Sequence, residues 1–144
     1  MQRQEHTIGI RINKVILVAL LFMMAGTVTE LYLLDHYEDT LQLIPLLCIG
    51  ASVLTLFILF FRRTKWTMGF FKLVLGLTAL SGVYGAFLHL QANYEFELEM
   101  KPGAKGWELF MESLSGALPS LAPGSMIVLA LIGYSYLLLL KQQQ

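Results

Sequence analysis

The sequence predicts an all-α membrane protein: four transmembrane helices in an up-down bundle, with one sizeable segment outside the bilayer. Three observations predict it. Of 144 residues, 56% are hydrophobic and only 14% are charged, with a mean hydropathy of +0.65. A soluble domain carries about a quarter charged residues, so the excess apolar surface needs lipid. Four apolar runs, at 15–34, 41–61, 66–92 and 121–140, have the length of about 20 residues that a helix needs to cross a hydrocarbon core of roughly 30 Å.

The third observation is charge segregation. If both termini share one side, that side holds Arg3, Arg11, Lys14, Arg62, Arg63, Lys65, Lys72 and Lys141 against Glu5, a balance of +7. The other side holds Lys101 and Lys105 against Glu30, Asp35, Glu38, Asp39, Glu95, Glu97, Glu99, Glu108 and Glu112, a balance of −7. Lysine and arginine in short loops stay cytoplasmic. Both termini are therefore expected inside, in a bacterial cytoplasmic membrane.

The first run follows a basic, polar start, as a signal peptide does, but no small-x-small cleavage site follows it. It is read as a retained anchor. Residues 35–40 make a tight outer turn, with Asp39 or Thr40 as candidate N-cap of the second helix. Pro45 is expected one to two turns into that helix, where a missing backbone donor bends the axis. Residues 62–65 form a minimal inner turn, so the first three helices are expected to pack up-down-up. Lys72 lies two turns from that basic turn and can snorkel to the interface.

The outer segment, 93–120, divides in two. Glu95, Glu97 and Glu99 alternate with Tyr94, Phe96, Leu98 and Met100, a period of two that predicts an extended stretch with one apolar face. Pro102-Gly103 reads as a turn. From Trp107 to Leu118 the spacing becomes helical, with Trp107, Phe110, Met111, Leu114 and Leu118 on one face. A Trp-led amphipathic helix between the third and fourth spans is expected to lie flat in the outer interface. Pro119 and Pro123-Gly124 end it before the last span. No repeat or linker divides the chain, which reads as one domain over 1–144.

Phosphate loops, CxxC and HExxH pairs and nucleophile elbows are absent from the sequence, as is a basic surface for nucleic acid. Cys48 is the sole cysteine, so no intramolecular disulfide forms. Two stripes stand out instead. Thr78, Gly82, Gly85, His89 and Asn93 share one face of the third helix, and Ala19, Met23, Gly26, Glu30 and Tyr37 share one face of the first. Small residues let a second helix come close, and the polar groups among them then need partners.

Glu30 and His89 lie at similar depth, which predicts contact between helices one and three. That contact serves as a structural hydrogen bond, or as an ion or metal site in the outer half of the bundle. A composite metal site would draw on Glu30, His36, His89 and Glu95. Two histidines near one face also raise haem ligation, but Glu30 disfavours a buried haem edge and no cofactor is expected. An unpaired strand with an apolar face is a poor free element. The sequence thus reads as a small non-catalytic subunit, held in lipid, that packs into a larger membrane complex. Its docking residues would be Tyr94, Phe96, Leu98, Met100, Trp107, Phe110, Met111 and Leu114, set against other integral membrane subunits.

Overall fold

A computed structural model describes residues 2–103 and 105–142, with side chains from residue 8 onward. Five helices follow in order: α1 (Gln2–Leu33), α2 (Leu43–Phe61), α3 (Lys65–Met100), α4 (Trp107–Leu114) and α5 (Gly124–Gln142). Among the described residues there is no strand. Four of the helices, all but α4, are long and apolar enough to cross a membrane, as an integral membrane protein requires.

The packing centres on α3, which contacts α2, α4 and α5. Its contact with α5 is built on glycine: a Cβ on Gly82 would stand 2.7 Å from the Pro123 carbonyl oxygen, and one on Gly133 would stand 2.6 Å from Leu75 Cδ2. These pairings run the two helices antiparallel. Against α2, the buried hydroxyls of Ser52 and Thr78 meet at 3.3 Å, after each has bonded a carbonyl one turn back in its own helix. That arrangement satisfies both hydroxyls without water. Helix α1 rests mainly on α5 and only lightly on α2. It buries Leu20 and Met24 in a core shared with Phe71, Leu129 and Leu137.

The bundle has two ends. One carries the start of α1, the end of α5 and the turn after α2, and is called here the terminal end. The other carries the α1–α2 turn, the last turns of α3, and α4, and is called the distal end. At the terminal end Thr64 caps α3, accepting from the Thr67 N–H while Thr67 Oγ1 accepts from the Thr64 N–H. Lys72 sits with its ammonium 5.7 Å from the centroid of the Tyr134 ring on α5, a cation–π contact beside the expected snorkelling route.

Several boundaries differ from the sequence reading, each for a local reason. Helix α1 starts at Gln2, because the polar residues ahead of the apolar run favour helix themselves. Helix α2 starts at Leu43, and neither Asp39 nor Thr40 caps it. The Gln42 side chain instead folds back, its Oε1 accepting from the Glu38 and Asp39 N–H groups. Pro45 is consequently the third residue of α2, inside the first turn, where its missing donor would have had no helical partner.

The largest correction concerns the extended stretch. Residues 94–100 are helix, a continuation of α3, and not a strand. Glu, Leu and Met are good helix formers, and helical spacing creates two side-chain pairs, Gln91 with Glu95 and Glu97 with Lys101. The backbone groups that an isolated strand would leave unpaired are bonded within the helix. As a result Tyr94, Phe96, Leu98 and Met100 do not share one face. Tyr94 and Leu98 lie on one edge, Phe96 and Met100 on the other, with Glu95 and Glu99 between them.

Helix α4 is also shorter than expected, ending at Leu114. It packs on α3 through Leu109 and Ser113, while the Trp107, Phe110 and Met111 side chains are exposed. The proline signals hold: α4 ends before Pro119, and α5 begins at Gly124 directly after Pro123.

Candidate functional site

The distal end is where polar chemistry collects, and three pieces of chain build it. The first is the end of α1. The His36 N–H bonds the Leu31 carbonyl at 2.8 Å and the Asp35 N–H bonds the Tyr32 carbonyl at 3.2 Å, the paired bonds of a Schellman motif. Asp35 takes the left-handed position with φ 51°, which glycine usually fills and which aspartate tolerates better than most residues. Its carboxylate accepts from the Tyr37 hydroxyl at 2.8 Å, and the Tyr37 ring stacks on Tyr32 at 5.9 Å. These contacts fold the chain back so that His36 faces the bundle.

The second piece is the distal part of α3. His89 meets His36 edge-on, with ring centroids 6.2 Å apart and planes at 68°. Its Nδ1 lies 3.2 Å from the Pro119 carbonyl oxygen. A carbonyl only accepts, so the Nδ1 atom carries the proton in this contact and the Nε2 lone pair is left free. Both rings are half-buried. Burial pushes the His36 imidazole below its ordinary pKa, and His89, whenever it is protonated, adds to that effect.

The third piece is the 113–123 segment, which Asn93 pins. The Asn93 Nδ2 group donates to the Ser113 carbonyl at 2.9 Å, to the Leu118 carbonyl at 2.7 Å and to Ser120 Oγ at 3.1 Å, and Oδ1 accepts from the Leu118 N–H at 3.0 Å. Asn93 is 3% exposed, so these partners replace water almost entirely. Gly116 makes the approach possible, since a Cβ there would stand 2.5 Å from Asn93 Cγ. Lys101, at the end of α3, ties α4 through Glu112 and also pairs with Glu97 one turn back. The segment placed in this way presents Pro119 to His89.

The structure therefore brings His36 and His89 together, but it does not bring Glu30 to either. Glu30 is exposed on α1, and among the described residues its side chain makes no hydrogen bond or ion pair. Helix α1 takes α5, not α3, as its main neighbour. The partner of the α3 stripe is α5 with the loop before it, as Gly82, Gly85 and Asn93 all show. Glu95 is exposed on α3 and accepts from Gln91 Nε2 at 2.9 Å. Among the described residues no three histidine, cysteine or acidic side chains form a metal-holding group, so Glu30 and Glu95 do not complete a cluster around the histidines.

Of the eight residues proposed for docking, seven are exposed and Leu114 is half-buried. Trp107 and Phe110 lie together with ring centroids 5.4 Å apart. Sequence reading missed Ser113, Gly116, Pro119 and Ser120 as parts of the site. Their signal is the unsatisfied amide of Asn93 at the end of a small-residue stripe, which demands backbone partners from some nearby loop. Compared with protein-family models, curated proteins and solved structures, the chain matches none.

Proposed function

We propose that this protein is a small non-catalytic subunit of a larger membrane assembly and that it docks through its distal extension. The observation that carries the reading is length combined with exposure. Helix α3 has 36 residues, about 54 Å at 1.5 Å per residue, against a hydrocarbon core of roughly 30 Å. Its last turns are thus expected to project beyond the lipid, yet Phe96 is 52% exposed, Met100 65% and Trp107 73%. Large apolar side chains on a projecting element are the kind of patch that partners cover, and aromatic residues with methionine are enriched in such interfaces. Glu95, Glu99 and Glu108 among them favour a partner with a basic counter-surface.

The topology that fits this reading places both termini and the Arg62–Lys65 turn in the cytoplasm and the distal end outside, in a bacterial cytoplasmic membrane. Its support is the +7 and −7 division of charge, which the helix connectivity leaves intact even though 94–100 is helical. Replacing Phe96 and Leu98 together with serine tests the docking role. In native membranes solubilised with mild detergent, the wild-type chain is expected to run in a large assembly, and the double variant as a smaller particle with unchanged helical content. A wild-type chain that runs as a monomer overturns the reading.

A further inference from the structure

We infer that His36 and His89 form a two-imidazole site for a divalent first-row transition metal ion, with copper(II) favoured over nickel(II) and zinc(II). Imidazole nitrogen is a ligand these ions share, and the general affinity order places copper first. The two rings come from separate elements, the turn after α1 and the last third of α3, so their approach is a product of the fold and not of sequence proximity. Each is held by the backbone. His36 stands at the position that follows the left-handed residue of a Schellman motif. His89 bonds the Pro119 carbonyl through Nδ1.

That second contact is what separates the pair from two histidines that merely pack. Metal-ligating histidines almost always give their other ring N–H to a carbonyl or carboxylate, which sets the tautomer and aims the free nitrogen. His89 has this arrangement, with Nε2 left as the lone-pair donor. The spacing agrees with the chemistry. With metal–nitrogen bonds of about 2.0–2.1 Å and a ring centroid roughly 1.1 Å further on, two imidazoles on one ion have centroids about 5 Å apart at a tetrahedral angle and about 6.4 Å apart when trans. The observed centroid separation of 6.2 Å is close to the trans value, so an ion needs only a turn of the edge-on rings, and no movement of the helices, to bring both lone pairs onto it. A near-trans pair suits the tetragonal geometry of copper(II) and nickel(II), while zinc(II) would draw the rings closer by about 1 Å. Two protein nitrogens leave the remaining positions to water, so the ion is exchangeable. Both rings are half-buried at the end of the bundle, within reach of solvent.

Binding of Cu2+ alone to the purified full-length protein in detergent tests the inference, followed by equilibrium dialysis and by electron paramagnetic resonance. About one ion per chain is expected, with a spectrum that shows two coordinated nitrogens. His36→Gln and His89→Gln should each weaken binding by at least about tenfold and leave one nitrogen, given that loss of even a supporting group costs roughly 10–100-fold. His6→Gln, at the opposite end of α1, should change nothing. A readout on the unmutated chain guards against variants that misfold: Cu2+ should protect His36 and His89 together from acylation by diethyl pyrocarbonate, with no change in the labelling of His6. Binding that survives both substitutions, a spectrum without histidine nitrogen, or absence of joint protection overturns the site. None of these outcomes depends on whether Phe96 and Leu98 dock a partner.

Discussion

Two stripes of small residues, one on α1 and one on α3, are equivalent on paper and opposite in the folded chain. The α3 stripe is closed. Thr78 and Gly82 are buried, Gly82 has no room for a side chain against the Pro123 carbonyl, and Gly85 packs tightly on the Pro123 ring. The α1 stripe is open. Gly26 and Glu30 are exposed, and a Cβ on Gly26 would meet nothing within 4 Å. Leu20, Met24 and Thr27, which α1 buries along with Asn13, each lie one position along from the predicted stripe, a rotation of about 100°. Small spacing therefore states only that a helix can come close. Which helix comes, and whether it belongs to the same chain, depends on the rest of the packing.

The contrast breaks most sharply at Gly82. Gly82→Leu would push a branched side chain against the Pro123 backbone, which cannot swing aside as a side-chain end can. A loss of about 3 kcal/mol or more is expected, seen as a lowered thermal midpoint in detergent. A variant as stable as the wild type would mean that α3 and α5 are not packed as described.

Asn93→Ala should rank second. It removes the shared partner of Ser113, Leu118 and Ser120 and leaves the Leu118 carbonyl and N–H without that partner, the Ser113 carbonyl keeping only Ser120 Oγ, at a cost of about 1–3 kcal/mol. Hydrogen exchange should rise first in 113–120, before the spans respond. Uniform loosening of the whole bundle would contradict a local pin.

The smallest effects belong to the open stripe. Gly26→Ala and Glu30→Gln should each change the stability of the isolated chain by no more than about 0.5 kcal/mol. Glu30→Gln and His89→Gln should be additive, because Glu30 is exposed and the two side chains share no bonding partner. Strong coupling between them would restore the contact between α1 and α3. Gly26→Leu sharpens the comparison further. If it leaves the fold intact but disperses a native assembly, the open stripe meets another chain.

The terminal end and the helical spans were legible in the sequence, and the distal end was not. Apolar runs of membrane length, prolines 119 and 123, and short polar turns act locally, so they mark where helices stop whatever else the chain does. Residues 94–100 misled because a period of two over seven residues coexists with helix-forming side chains, and only the continuation of α3 against α4 decides between them. The stripe of α3 announced its need for a partner through Gly82, His89 and Asn93, but not that α5 and the loop before it would meet that need. Neither does spacing foretell that His36 meets His89, fifty-three positions away, while Glu30 at similar depth does not. Depth along a helix follows from counting residues. Rotation about its axis, and the choice of neighbour, follow from how all the apolar faces are buried at once, which is a property of the tertiary structure alone.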